Sequence, residues 1–229
     1  MKTAYLDPKL PRNLPGNPMH WAKAWFDAAS DKRVQKNPNA MTLATVGDGG
    51  APTARVVLCK AFEADPGYLV FFTNYESRKS EQLFTNPEVC VVFHWDSIGR
   101  QIRIEGLAAR SPAEESDRYF SSRDAGSRLG AWGSDQSKPL ESRQHLIEQM
   151  QRRASELGIE LDENGKPAAN AEIPRPPHWG GIRIWARRVE LWIDGEDRIH
   201  DRACWTRELE PTGDGTFSTG DWSGTRLQP

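Results

Sequence analysis

The chain has 229 residues, which is enough for one large domain with a substantial apolar core. Its 30 Lys and Arg residues nearly balance its 32 Asp and Glu residues, and the net charge of -2 argues against a general nucleic-acid or anionic-membrane binder. Three widely spaced cysteines argue against a disulfide framework or a structural zinc site, and no run approaches the ~20 apolar residues of a membrane span, so we expect a soluble protein of the reducing cytoplasm.

The N-terminal residues 1–17 are rich in proline and asparagine, which predicts an arm outside the packed structure. Asn17 followed by Pro18 is a favourable cap and first-turn pair. It predicts a helix from Pro18 to about Gln35. We expect residues 18–229 to form a single domain.

Five apolar runs come next, and the glycine-rich turn GDGG joins the first two as a hairpin. The runs are MTLATV at 41–46, TARVVLCK at 53–60, YLVFFTN at 68–74, VCVVFHW at 89–95 and RQIRIEGLAAR at 100–110. Their spacing predicts antiparallel strands. Together with intervening helices, they indicate an α+β protein built on a β-barrel.

The second run carries a cation at each end, Arg55 and Lys60. Because side chains alternate along a strand, these two cations leave on opposite faces. Either the strand binds two different anions, one on each face, or its charged ends are exposed to water.

Two further segments carry cations beside hydroxyl groups. Ser77 precedes a predicted short helix whose first turn holds Arg78 and Lys79. This arrangement suits a bound phosphate, and the alternative is a helix start exposed to water.

Ser111 and Glu114 form a capping-box pattern, which predicts a helix from 112 to about 122.

Tyr119 and Arg123 are four residues apart and would share a face of that helix, with Ser127 just beyond its end. The three side chains predict an oxyanion site. The alternative is a helix C-terminus at which Arg123 interacts favourably with the dipole.

The C-terminal half contains a predicted amphipathic helix at 139–157, a polar and proline-rich loop at about 155–172 that we expect to be mobile, and an apolar strand at 182–193. A short strand from about 199 follows a turn. There Arg198, His200 and Arg202 would lie on one side, facing either an anion or water. None of the five histidines has the spacing of a metal site, and we expect no metal.

Six segments in this order resemble the pyridoxamine/pyridoxine 5′-phosphate oxidases, a family of FMN-dependent enzymes with a split β-barrel. The resemblance runs from about 39 to 229. Its densest segments are RVVLCK, FFTNYESRK, RQIRIEG, YFSSRDAGSRLGAWGSDQS, HWGG and ELWIDGEDRIHDR. It implies an α+β, mainly antiparallel FMN-binding split barrel with flanking helices. Phe72 departs from the tyrosine that the family often has there.

The resemblance also implies roles for individual residues. The implied FMN-binding residues are Arg55, Val56, Val57, Leu58, Cys59, Lys60, Phe72, Thr73, Arg78, Lys79, Gln101, Gln136, Ser137, Trp192 and Arg202. The implied substrate-binding residues are Lys60, Tyr119, Arg123, Ser127, Arg198 and His200. Of these, Arg198 and His200 are implied to act at the reacting end of the substrate.

The implied activity is oxidation of pyridoxamine or pyridoxine 5′-phosphate to pyridoxal 5′-phosphate, a step of vitamin B6 synthesis in which dioxygen is reduced to hydrogen peroxide. The family further implies a homodimer with the flavin at the subunit interface. Two alternatives stay open: a related oxidase of the phenazine-biosynthesis type, and a non-catalytic protein that binds FMN or pyridoxal phosphate.

Overall fold

A computed structural model describes residues 9–229. The helices are α1 Pro18–Asp31, α2 Arg78–Thr85, α3 Ala113–Ser121, α4 Ala125–Gly133 and α5 Arg143–Glu156. The strands are β1 Ala40–Val46, β2 Pro52–Leu58, β3 Ala61–Glu63, β4 Tyr68–Asn74, β5 Glu88–Trp95, β6 Arg100–Arg110, β7 Trp179–Ile193, β8 Asp201–Thr206, β9 Leu209–Gly213, β10 Thr216–Thr219 and β11 Ser223–Leu227. No helix in the described range is both long and apolar enough to cross a membrane.

The described chain divides into two compact units, where the sequence predicts one domain. The first unit comprises the described residues up to Phe71 together with Gln82–Ala109 and Arg183–Pro229. The second unit comprises Phe72–Glu81 and Arg110–Ile182. Four elements, β4, α2, β6 and β7, contribute residues to both units.

Nine strands form one sheet, in which β11, β8, β7, β6, β5, β1 and β2 are successive neighbours and β4 pairs with β3 and β7. The pairs β1–β2, β1–β5, β5–β6, β7–β8 and β8–β11 are antiparallel. The predicted hairpin is present, with Met41 opposite Val57. The five predicted strands correspond to β1, β2, β4, β5 and β6, and the α+β class is confirmed.

Alternating apolar side chains place the core of the first unit under this sheet. Leu43, Val91, Phe93 and Ile102 are fully buried, and each comes from a strand whose intervening residues are more exposed.

The first helix, α1, begins as predicted, because the Asn17 side chain accepts a hydrogen bond from the Met19 N–H. It ends at Asp31 and not near Gln35, since Arg33 adopts a left-handed conformation with φ of 48°.

The described part of the expected N-terminal arm is packed, which corrects that prediction; residues 1–8 lie outside the described range. Leu10 is buried, and its N–H donates to the Asp201 carboxylate at 2.7 Å. The Trp205 Nε1–H donates to the Pro15 carbonyl at 2.8 Å. Residues 9–17 are therefore part of the first unit.

In the second unit, the predicted capping box is wrong. Helix α3 starts after Pro112 without a side-chain cap, and the Ser111 hydroxyl is buried without a hydrogen-bond partner. The Ser111 N–H instead donates to the Gly181 carbonyl at 2.9 Å, so Ser111 continues strand pairing and does not turn to cap the helix.

Helix α4 was not predicted, and it begins where Asp124 accepts the Ser127 N–H at 2.7 Å.

The segment expected as a mobile loop at about 155–172 begins inside α5 and continues through an ordered turn. Asp162 accepts the N–H groups of Asn164 and Lys166, and Leu161 forms an isolated bridge with Pro167. Apolar residues of this stretch pack against a small core of α4, α5 and the following chain. That core consists of Ala125, Leu129, Ala154 and Ile173.

Candidate active site

The start of α2 brings together three of the predicted FMN-binding residues. Lys79 Nζ donates to Gln136 Oε1 at 2.6 Å and to Ser77 Oγ at 2.7 Å. Thr73 Oγ1 donates to the same amide oxygen at 3.2 Å. Ser137, the next residue, has a φ of 74°, a left-handed backbone turn. The second unit therefore presents a cation and several hydroxyl and amide groups at one helix start.

Asn74 organises this helix start and was missed by the sequence analysis. It is buried, its side-chain oxygen accepts the Glu76 N–H at 2.7 Å, and its carbonyl accepts both Ser77 Oγ and Ser80 Oγ. The sequence contained this signal, because an asparagine side chain that accepts the backbone N–H two residues later forms an Asx turn, and asparagine is common at such turns.

An aromatic stack forms a second cluster in the same unit. The ring of Phe72 lies parallel to Tyr119, with centroids 3.9 Å apart, and to Trp179 at 5.5 Å. The guanidinium of Arg123 lies 4.7 Å from the centre of the Trp179 ring. Burial lowers the pKa of Arg123, and its Nη1 is buried without a hydrogen-bond partner.

The prediction that Tyr119 and Arg123 share a face of one helix is wrong, although both side chains lie beside the Trp179 ring. Helix α3 ends at Ser121, so Arg123 lies beyond it and reaches the stack from the following turn. Ser127 instead hydrogen-bonds to Asp124 with its N–H and its hydroxyl, and these bonds hold the pKa of that carboxyl below its usual value.

In the first unit, Arg55 lies among neutral acceptors. Its Nη1 donates to Thr45 Oγ1 at 2.6 Å, and its Nη2 donates to Thr53 Oγ1 at 2.7 Å and to Gln82 Oε1 at 3.3 Å. The predicted alternation along β2 is present, because Arg55 is half-buried whereas its neighbour Val56 is 67% exposed.

Cys59 is buried just after β2, and burial raises its pKa to about 12. The thiol is therefore packed and protonated at neutral pH. Lys60 is exposed, and its backbone N–H donates to the Val70 carbonyl. Val57 and Leu58 are half-buried strand residues, and Gln101 is paired opposite His94 in the β5–β6 ladder.

Arg202, a predicted FMN-binding residue, is held by a buried carboxylate that the sequence analysis missed. Glu190 is 3% exposed, and its Oε1 accepts from Arg202 at 2.7 and 2.9 Å. Its Oε2 accepts from Arg103 at 2.6 Å. Two arginines, one on each of the strands that flank β7, thus neutralise one buried charge.

The segment from Arg198 to Arg202 is not the predicted one-sided strand. Arg198 is exposed in a short 3-10 turn with φ of 65°, and β8 begins only at Asp201. The His200 ring lies 4.7 Å from the Trp192 ring, and its Nδ1 is 3.2 Å from an Asp194 carboxylate oxygen. No group of three or more His, Cys, Asp or Glu within residues 9–229 is arranged to hold a metal ion.

Comparison with known families gives two matches that together span most of the chain. Residues 28–155 match the family model described as pyridoxamine 5′-phosphate oxidase. Residues 179–229 match the model described as pyridoxine 5′-phosphate oxidase C-terminal dimerisation region.

Curated relatives have the corresponding name. The pyridoxine/pyridoxamine 5′-phosphate oxidase of Burkholderia mallei is 44% identical over 213 residues, covering 93% of this chain and 89% of the relative. The protein of the same name from Paraburkholderia phytofirmans is 42% identical with the same coverage.

Solved structures share the fold. PhzG from Burkholderia lata, solved in complex with tetrahydrophenazine-1-carboxylic acid, has a TM-score of 0.77 and 28% identity, covering 99% of this chain and 96% of that chain. A pyridoxamine 5′-phosphate oxidase-related, FMN binding protein from Nostoc punctiforme has a TM-score of 0.65 at 17% identity, covering 91% and 97%. The expected split-barrel class is confirmed.

Proposed function

The chain belongs to the pyridoxamine 5′-phosphate oxidase family, and from this membership we propose that it oxidises pyridoxamine or pyridoxine 5′-phosphate to pyridoxal 5′-phosphate, with FMN as cofactor and dioxygen as electron acceptor. The alcohol substrate and O2 give the aldehyde and H2O2. The amine substrate also consumes water and releases ammonia. The family match supports an FMN-dependent oxidase, and the choice of substrate rests on the second unit.

The environment of the Arg123 side chain favours a phosphorylated substrate. Its Nη1 is buried without a hydrogen-bond partner, beside the Tyr119, Phe72 and Trp179 stack. A buried guanidinium nitrogen without an acceptor is costly, and a phosphate oxygen would satisfy it with a charge-assisted bond. We therefore propose that Arg123 and Tyr119 bind the substrate phosphate, with Lys60 and Ser127 as the further contacts that the family implies.

The residues at the start of α2 fit FMN. Lys79, Thr73 and Gln136 offer a charged donor, a hydroxyl and an amide within one hydrogen-bonded cluster, which suits a phosphate or a flavin edge. The other proposed FMN ligands are Arg55, Val56, Val57, Leu58, Cys59, Lys60, Phe72, Arg78, Gln101, Ser137, Trp192 and Arg202. When bound, FMN supplies the hydride acceptor and the reaction with dioxygen.

The protein's own contribution is binding and orientation. Trp192 packs against His200 and limits the positions of its ring. His200 is the proposed group that accepts a hydrogen bond or a proton at the reacting end, and Arg198 is the proposed group that aligns the substrate ring.

Purified protein tests the proposal directly. Pyridoxine phosphate and pyridoxamine phosphate are added separately to the flavin-loaded protein, and pyridoxal phosphate and hydrogen peroxide are measured together. Equal amounts of the two products are expected from pyridoxine phosphate. Absence of both products with either substrate would refute the proposal.

A second candidate is an oxidase of the phenazine type, because the similarity to PhzG covers almost the whole chain. Oxidation of tetrahydrophenazine-1-carboxylic acid with no turnover of either B6 phosphate would favour it. Flavin binding without peroxide formation from any of the three compounds would instead indicate a non-catalytic binding protein.

Two further proposals concern the assembly and the compartment. The match of residues 179–229 to a dimerisation region supports a homodimer. Three free cysteines, of which Cys59 and Cys204 are buried, suit a reducing compartment such as the cytoplasm.

A further inference from the structure

The turn between β7 and β8 holds His200 in contact with two groups that make opposite demands on one ring nitrogen. Nδ1 lies 3.2 Å from the Gly195 backbone nitrogen, whose N–H donates to it. The same Nδ1 lies 3.2 Å from Asp194 Oδ1. The first contact requires a bare Nδ1, whereas the second requires a proton on it.

These two contacts correspond to two forms of the neutral ring. When Gly195 donates to Nδ1, the ring proton is on Nε2, and Nε2 is a donor only. When Nδ1–H donates to Asp194, Nε2 is bare and accepts a hydrogen bond or a proton. The Gly195 contact has hydrogen-bond geometry, whereas the Asp194 contact is an ion-pair distance. A charge-assisted hydrogen bond to a carboxylate is stronger than one between neutral groups, so Asp194 favours the Nδ1–H form over the form that the Gly195 N–H favours.

Asp194 is held at this position by the backbone around it. Its N–H donates to the Gly99 carbonyl at 2.9 Å. Gly99 has a φ of 57°, and a Cβ there would come within 2.9 Å of the Asp194 Cβ. Because residue 99 is a glycine, its backbone can approach Asp194 this closely and hold it in place.

Gly195 is also required by the geometry, because a Cβ on it would clash with the Ile199 carbonyl oxygen. The turn closes tightly and returns the chain so that the His200 ring faces residues 194 and 195. Within the described residues, the polar and aromatic contacts of this ring are with the Asp194 carboxylate, the Gly195 N–H and the Trp192 ring, while Arg198 in the same turn is exposed.

We propose that Asp194 is a positioning residue that selects the Nδ1–H form of His200 and leaves Nε2 free to accept from the substrate. The ring changes form by releasing the Nε2 proton to water and taking one up on Nδ1. This assignment rests on the proposed function for its catalytic consequence, because His200 acts there at the reacting end. The placement of the proton by Asp194 does not depend on turnover.

The test compares D194A, D194N and a matched control, D197N, in the flavin-loaded protein. Asp197 is an exposed acid in the same turn with φ of 54°, a conformation that asparagine tolerates. Two-bond proton–nitrogen correlation spectra distinguish the two ring forms of a histidine, and the His200 signal is assigned by its loss in H200Q.

Wild type and D197N are expected to show the Nδ1–H form, and D194A should shift to the Nε2–H form. D194N, which keeps the shape without the charge, should shift in the same direction in part. With pyridoxine phosphate, D194A should lower kcat ~10-fold while KM changes less than ~2-fold.

An Nε2–H ring in wild type, or the same ring form in wild type and D194A, would overturn the inference even if the enzyme is active. The spectral shift without any B6 phosphate oxidation by wild type would support the placement by Asp194 and refute the proposed function. A kcat of D194A equal to that of D197N would refute the catalytic consequence.

Discussion

Arg123 combines a stacked position on Trp179 with one buried nitrogen that has no hydrogen-bond partner. We predict that Arg123→Ala raises the KM for pyridoxine phosphate by about 10- to 100-fold, since a hydrogen bond to a charged group contributes about 1.5–3 kcal/mol. FMN content should remain unchanged. Steady-state kinetics and the flavin-to-protein ratio of the purified variant measure both effects.

The matched control for this change is Arg118→Ala, which removes an exposed arginine from α3. Its KM should stay within about twofold of wild type. Equal loss of flavin and of substrate affinity in Arg123→Ala would show that Arg123 is not specific to the substrate phosphate.

Cys59 illustrates a residue whose burial has a pH-dependent consequence. Because its pKa is raised to about 12 in the folded protein, the unfolded chain loses this proton first as the pH rises. The contribution of Cys59 to stability is therefore fully present below about pH 9 and is lost progressively towards pH 12.

We predict that the difference in unfolding free energy between wild type and Cys59→Val, measured by urea denaturation, will change with pH because of this loss. Between pH 8 and pH 10 the unfolding free energy of wild type should fall relative to the variant by about 1–2 kcal/mol. A difference that is constant with pH would contradict the buried, protonated thiol.

At the scale of elements, the sequence predicts most strands because their apolar residues alternate or run continuously between turn signals. β1, β2, β4, β5 and β6 have the predicted order, and the predicted β1–β2 hairpin is present. The errors occur where pairing with distant chain decides the local structure. Ser111 has the sequence of a helix cap, yet its N–H pairs with Gly181, seventy residues away.

The start of α2 carries the next prediction. Lys79→Ala removes the cation bound to Gln136 and Ser77, and we expect it to weaken FMN binding by at least about tenfold. Lys138→Ala is the control, because Lys138 is an exposed lysine that pairs with Glu81 of the same helix. Fluorescence titration of flavin-free protein with FMN gives both affinities, and equal affinities would exclude Lys79 as a ligand.

The small core under α4 and α5 indicates that the 155–172 segment, predicted from the sequence as a mobile loop, is ordered. Ile173 is 4% exposed and packs with Leu129 and Ala154, so the segment before it is anchored at both ends. Ile173→Ala should lower the unfolding free energy by about 2–4 kcal/mol. Asn170→Ala, an exposed neighbour, should change it by less than about 0.5 kcal/mol. Equal denaturation midpoints would show that the core is not formed.

At the scale of the whole molecule, the candidate site is predictable only in part. Cations and hydroxyls at Lys79, Tyr119 and Arg123 stand out in the sequence because their residue types suit phosphate. Glu190 and Asp194 do not, because a carboxylate beside an arginine or a histidine is recognisable only after neighbouring strands and a turn bring them together.

The homodimer is the last prediction, and it follows from the C-terminal segment. Residues 179–229 match a dimerisation region, and they include β7, β8 and β11, which are successive neighbours in the sheet. We expect light scattering to give twice the chain mass of 25.8 kDa. Because dimerisation is coupled to folding by mass action, the thermal midpoint should rise with protein concentration.

FMN should raise that midpoint further, since a ligand that binds only the folded protein stabilises it. A flavin-free sample supplies the control, and its midpoint should be lower at every concentration. A monomer that retains full oxidase activity would contradict the prediction. It would also mean that the 179–229 region has a different role in this chain than in the family that it matches.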